Sequence, residues 1–284
     1  MIKSMKAKRT IGNAFIYVIL TLLSIVWVFP VAWLVMQSFR KEGSAFTPYF
    51  IPKQWTFDNY INLLTDTSKF NFPRWFGNTL VVAIASCILT TVLVLLTAYA
   101  FSRLRFKMRR PMMNVILILG MFPGFMSMIA IYHILKAINL TQSLVSLVLV
   151  YSGGAAMGYY IAKGFFDTIP YAIDEAAMID GATKNQVFWK IILPMSKPIV
   201  IYTILTSFLT PWVDFIFVSV IMKDNYDKYT VALGLFQMIS RENVQKYFTQ
   251  FCAGAVLIAI PITLLFIKMQ KYYVSGVTAG GAKG

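Results

Sequence analysis

Residues 75–102 read WFGNTLVVAIASCILTTVLVLLTAYAFS, twenty-eight positions without a charge between Arg74 and Arg103. A helix needs about 20 apolar residues to cross the hydrocarbon core of a bilayer. Spans built from strands would instead alternate apolar and polar residues over about 10 positions, and no such alternation is present. A helix satisfies its own backbone hydrogen bonds, so an unbroken apolar run in lipid forms one. The same reading extends outward. Residues 10–39, 111–135, 137–162 and 247–267 carry no charge, and 198–222 carries only Asp214. The pattern predicts an all-α polytopic membrane protein with six transmembrane helices, near 12–37, 76–101, 112–135, 143–163, 199–222 and 249–268.

Composition agrees. Of 284 residues, 58% are hydrophobic and 13% are charged, against about 25% charged in soluble domains. A soluble domain of this length cannot hide so much apolar surface, which argues against a cytosolic enzyme. Lys3, Lys6, Lys8 and Arg9 precede the first apolar run. That run far exceeds the roughly 7–15 residues of a signal-peptide core, so a retained helix is expected.

Loop charges predict the orientation. With six spans both termini share a side, and that side holds sixteen Lys and Arg against ten opposite. Both termini are therefore placed in the cytoplasm. The net charge of +15 then reads as a topology and anionic-lipid signal rather than a nucleic-acid surface. Cys87 and Cys252 sit inside apolar runs and offer neither a disulfide framework nor metal spacing. His133 is a lone histidine at an expected helix end.

Two segments are expected outside. The loop between the first two spans is rich in aromatics, including Phe46, Tyr49, Trp55 and Tyr60, and is broken by Pro48, Pro52 and Pro73. It fits an interfacial belt with a short amphipathic helix around residues 58–64, or a surface for an external partner. The loop after Lys223 is the second candidate for external contact.

Inside, residues 164–198 read GFFDTIPYAIDEAAMIDGATKNQVFWKIILPMSKP. Pro170 suits a helix start, and Asp174 and Glu175 suit the positive end of its dipole. Gly181 suits a left-handed stop. A second helical run over 184–192 follows, before Leu193-Pro194. The expectation is a short helix, a sharp turn and a second helix, with small residues that let another protein approach closely.

This segment resembles the EAA loop of ATP-binding-cassette (ABC) importer permeases. The family pattern is E-A-A, three residues, G, nine residues, I, one residue, L-P. Here it is met by Glu175, Ala176, Ala177, Gly181, Ile191, Leu193 and Pro194. The chain's length, helix count and loop sizes are similar to sugar-importer permeases, especially the smaller subunit of the maltose/maltodextrin type. So are residues 275–284 and the stretch Trp212-Val213-Asp214-Phe215.

The resemblance implies the type I importer permease fold in a bacterial cytoplasmic (inner) membrane. It implies an N-terminal segment, first helix and external loop over 1–71, a permease core over 72–271 and a cytoplasmic tail over 272–284. It implies a heterodimer with a second homologous permease, a cytoplasmic ABC ATPase dimer and an extracellular or periplasmic sugar-binding protein. The helix around 175–181 would dock in an ATPase cleft as the coupling helix, and Gly280 and Gly281 become candidate ATPase contacts. The implied cargo is a sugar, expected to be an oligosaccharide such as a maltodextrin or galacto-oligosaccharide. A monosaccharide, glycerol phosphate or polyamine stays open, as does an ion-coupled secondary transporter.

No catalytic, cofactor or metal site is expected. The chain lacks the phosphate loop G-x-x-x-x-G-K-[ST] and the H-E-x-x-H metal motif. Asp214 is the one carboxylate in an expected span, and a charge there costs about 2.5–3.5 kcal/mol on insertion scales. With Trp212 it is a candidate for either the transport pathway or a helix contact. Gly120, Pro123, Gly124, Gly153, Gly154 and Gly158 mark hinges or close packing, and Pro211 and Pro261 mark kinks.

Overall fold

The computed structural model describes residues 2–281 apart from Phe46, Pro48, Pro123 and Arg241. Its described elements are helices throughout: α1 Ile2–Ser38, α2 Asp58–Thr65, α3 Phe72–Arg103, α4 Arg109–Met121, α5 Gly124–Ala137, α6 Leu144–Gly153 and α7 Ala156–Asp167. Then come α8 Tyr171–Ile179, α9 Lys184–Val187, a π-turn over Phe188–Ile192, α10 Leu193–Met195, α11 Lys197–Val213, α12 Ile216–Met222, α13 Val231–Met238 and α14 Val244–Gly281.

Among the described residues, three helices are long and apolar enough to cross a membrane unbroken: Gly12–Ser38, Phe72–Arg103 and Val244–Lys271. Three bent pairs bring the candidate spans to six. The expected third helix is broken, with Arg109–Met121 and Met126–Ala137 meeting at 106°. Gly120, Pro123 and Gly124 explain this, because proline lacks the N–H and glycine weakens the helix. Pro123 itself lies outside the described residues. The fourth is bent by 41° between Leu144–Gly153 and Met157–Asp167, at Gly153 and Gly154.

The expected fifth helix is divided into α11 and α12. Pro211 withdraws a backbone donor one turn from the end of α11. The Asp214 side chain then accepts the Phe217 N–H at 3.0 Å, so that α12 starts afresh. The third bent pair is Lys184–Met195 with Lys197–Val213, at 81°. Its first arm carries Lys184 and Lys190, which suits the membrane edge better than the hydrocarbon.

The chain divides into two compact units, Met1–Phe70 with Gln237–Leu257 and Asn71–Phe236 with Ile258–Gly284. In the first, α2 lies where the external amphipathic helix was expected. It turns Asn59 and Leu63 inward. Asn59 Nδ2 donates to the carbonyls of Ser38 and Arg40 at 2.9 and 2.7 Å, and its Oδ1 accepts from Thr249. The guanidinium of Arg40 is fully buried. It donates to the Glu42 and Ser44 carbonyls and to the Thr47 hydroxyl, so the loop wraps around it.

In the second unit α3 is the central element, packed on α6, α7 and α11. Its buried face runs through Trp75, Thr79, Val82, Ser86, Thr90, Val94, Ala98 and Ser102, at the three- and four-residue spacing of one helical face. Its exposed face carries Val81, Ile84, Ile88, Val92 and Leu96. Small and hydroxylated residues, Thr79, Ser86, Thr90, Ala98 and Ser102, are thus all on the inner face beside Trp75, Val82 and Val94, while the outer face is aliphatic. That arrangement suits lipid, where close approach and hydroxyl bonds hold helices together. Thr79 and Ser86 donate to carbonyls one turn back, at 2.8 and 2.6 Å, so neither hydroxyl is left unsatisfied.

Candidate functional site

The segment between α7 and α11 is built from local signals. Pro170 stands at the N-cap of α8 rather than within its first turn. The helix ends as expected at Gly181, which has a φ of +84°. The Ala182 N–H donates to the Ala177 carbonyl at 2.9 Å, and the Gly181 N–H donates to the Met178 carbonyl at 3.1 Å. Together these two bonds form a Schellman stop, which needs a left-handed residue between helix and exit. Space is not the constraint, since a Cβ on Gly181 would meet nothing within 4 Å.

A new helix starts two residues later. Thr183 Oγ1 accepts the Gln186 N–H, and Gln186 Oε1 accepts the Thr183 N–H at 2.8 Å. This reciprocal capping box was legible as Thr-Lys-Asn-Gln and was missed in the reading above. The next turn widens into the π-turn Phe188–Ile192, closed by the Leu193 N–H on the Phe188 carbonyl. Pro194 follows at once. Its ring removes a donor and crowds the carbonyl four residues back, and a widened turn relieves that crowding.

The motif residues divide between two environments. Ala177 is buried, while Glu175, Ala176, Gly181 and Pro194 are exposed. Ala177 joins a cluster with Val94, Ala98, Tyr99, Phe166, Val187, Phe188 and Ile192, against which Ile191 and Leu193 pack. The motif therefore has an exposed outer edge and an anchored inner edge. On the outer edge Ile179 is 86% exposed, an apolar side chain with no cover in this chain.

The inner edge is fixed by groups that sequence reasoning did not select. Arg103, the last residue of α3, donates through Nη2 to the carbonyls of Phe166 and Ile169 at 3.0 and 2.8 Å. Its Nε lies 3.6 Å from Asp174 Oδ2, and its guanidinium stacks 4.3 Å from the Tyr171 ring centre. The Tyr171 hydroxyl donates to the Ser102 carbonyl at 2.7 Å, and Ser102 Oγ donates to Asp167. Asp174, expected only to suit the positive end of the helix dipole, is thus buried and paired.

At the α11–α12 break both Asp214 oxygens have partners, Phe217 N–H on Oδ1 and the Tyr151 hydroxyl on Oδ2 at 3.0 Å. Trp212 is 2% exposed and packs edge-on against Phe76. The structure does not bring Asp214 and Trp212 to the EAA segment in any recorded contact. Gly280 and Gly281 continue α14, with no side-chain environment described beyond residue 271, and residues 282–284 lie outside the described residues.

Residues 91–278 match the family described as binding-protein-dependent transport system inner membrane component. The chain belongs to this family of transport permeases. The permease is 37% identical to the galactooligosaccharides transport system permease protein GanQ of Bacillus subtilis, over all of both chains. It is 36% identical to the maltodextrin transport system permease protein MdxG of the same organism, covering 97% of this chain and 98% of that one. It is 32% identical to the maltose/maltodextrin permease MalG of Escherichia coli K12, covering 99% and 98%.

A solved bacterial ABC transporter for the acidic polysaccharide alginate contains a chain with the same fold. The TM-score is 0.77 at 20% identity, with 93% of this permease and 96% of that chain covered. The type I permease fold and the membrane location follow from these likenesses, and the family is one of transport permeases.

Proposed function

We propose that this permease is one of two different membrane subunits of an ATP-driven oligosaccharide importer, with both termini in the cytoplasm. Its partners would be a second homologous permease, a cytoplasmic ATPase dimer and an external sugar-binding protein. The observation that carries the reading is the divided EAA segment. Glu175, Ala176 and Ile179 stand exposed on a short helix whose Ala177 and Asp174 are anchored beneath. A small-residue outer edge beside the exposed apolar side chains of Met178 and Ile179 is suited to a cleft in another protein. The cargo class is supported by two relatives near 36–37% identity, named for galactooligosaccharide and maltodextrin transport.

In this reading the permease performs no hydrolysis. ATP-driven closure of the ATPase dimer draws the two coupling helices together and favours an outward-open bundle. Release of the products returns the bundle to its inward-open state. Coupling is reciprocal: if closure favours the outward state, the outward state favours closure by the same factor. A sugar-loaded binding protein that prefers the outward state therefore favours closure of the ATPase dimer, the state in which ATP is hydrolysed in this reading. The test is uptake of labelled maltotriose and galactotriose by cells expressing the complete system. Uptake should stop on ATP depletion and survive an ionophore. Uptake that survives ATP depletion but fails with the ionophore would indicate an ion-coupled carrier, and indifference to both sugars would overturn the cargo class.

A further inference from the structure

A nine-residue helix such as α8 is too short to hold its own direction, so something must transmit a push on it into the bundle. The covalent connections are turns at both ends, at Thr168–Pro170 and at the left-handed Gly181. Turns bend under load. The non-covalent connections are the apolar cluster around Ala177 and a set of polar links, and the polar links of the α8 side chains run to the last turn of α3. Ser102 receives the Tyr171 hydroxyl, and Arg103 receives the Tyr171 ring and the Asp174 carboxylate. The same Arg103 holds the final carbonyls of α7 and the α7–α8 turn. α3 in turn packs on α6, α7 and α11. We infer that the Arg103–Asp174 pair is the joint through which displacement of α8 is passed to α3, making both residues positioning residues for coupling. This inference rests on the importer reading above.

The chemistry suits a joint. Side-chain exposure is 3% for Arg103 and 10% for Asp174, so the attraction is little screened by solvent. Buried pairs give little net stability relative to apolar packing, so stability alone is a poor reason for one here. Arginine's planar fork serves two carbonyls, a carboxylate and an aromatic face at once, which lysine does not. Arg103 Nε and Nη1 and Asp174 Oδ2 make no hydrogen bond. They border a cleft of about 260 Å³ that also meets Tyr99, Glu175, Met178 and Lys184. A pair held by charge and stacking, without a fixed hydrogen bond, stays attached over a range of α8 angles.

The bland role for Arg103 is to cap the carbonyls at the end of α7. Asp174→Asn separates the two roles, because it leaves both carbonyl bonds intact and removes only the charge on α8. The readout is ATP hydrolysed per sugar imported by the whole complex in proteoliposomes. We expect Asp174→Asn to raise that ratio several-fold, with the ATPase still bound. Asp174→Glu should restore much of the loss.

An Arg103→Cys, Asp174→Cys pair should be uncoupled when open. Bridging it with a short bis-maleimide, each of whose alkenes adds one cysteine thiol, should bring the ratio back near wild type, and this decides the matter if the Asn variant fails to assemble. An unchanged ratio in Asp174→Asn, or a bridged pair no better than the open one, overturns the joint. Absence of sugar-stimulated hydrolysis in the wild-type complex would sink the importer reading, and the joint with it.

Discussion

The Tyr151 hydroxyl donates to Asp214 Oδ2 at 3.0 Å, while the other oxygen of Asp214 receives the Phe217 N–H. The one carboxylate expected within a span therefore serves a helix break. It starts α12 where Pro211 has weakened α11, and it ties the break to α6.

Asp214→Asn retains an acceptor for one of these donors, and Asp214→Ala retains none. We expect the Ala variant to lose about 1 kcal/mol as a missing cap, with more from the stranded Tyr151 hydroxyl. It should lower the unfolding temperature of the detergent-purified chain, with the Asn variant between it and wild type. Uptake at limiting sugar should follow the amount of folded protein. A fall in uptake per folded molecule for Asp214→Asn would give the carboxylate a role in the pathway.

Gly181 is constrained by backbone geometry and by its place on the proposed docking edge, and two substitutions separate these. Gly181→Ala forces a side chain into the left-handed region, which costs about 1–2 kcal/mol, yet adds little bulk in open space. Gly181→Trp adds bulk as well. Sugar-stimulated ATPase activity should fall modestly for Ala and be lost for Trp, with both chains present in the membrane. Full activity in the Trp variant would contradict docking at this edge.

Ile179 is the most exposed of the large apolar side chains on α8. Ile179→Asp removes no buried contact within the permease, so expression and unfolding temperature should hold. Recovery of the ATPase with the tagged permease should drop several-fold, in line with the roughly 2 kcal/mol of an interface hot spot. Equal recovery would place the docking contact elsewhere.

Gly234 lies against Trp75. A Cβ there would come 2.0 Å from the Trp75 ring, and that ring is 1% exposed, with its N–H bonded to the Tyr226 carbonyl. Gly234→Ala should destabilise by about 1–3 kcal/mol through overpacking, read as a lower unfolding temperature. Trp75→Phe in the same chain should recover part of the loss.

Much of this was legible beforehand, for physical reasons. Uncharged runs announce spans because lipid tolerates no alternative, and Gly181 announces its stop because few residues adopt that φ. The breaks were harder to place. Pro211 and Asp214 were both visible, but their combined effect, a divided helix, depends on Asp214 bonding a backbone three residues ahead. Asp174 was read from its helix position alone. Its partner Arg103 lies seventy-one positions earlier in the chain, in a run of basic residues read only for topology. A pairing of that kind has no local signature, since it is set by where the ends of α3 and α7 meet.

The most direct test of the account is recovery of the tagged permease from its native membrane in mild detergent, followed by mass spectrometry of its companions. The account predicts a second permease and an ABC ATPase, with the ATPase lost when Gly181 is replaced by Trp. Recovery of the wild-type chain alone, from a preparation that keeps other membrane complexes intact, would contradict it.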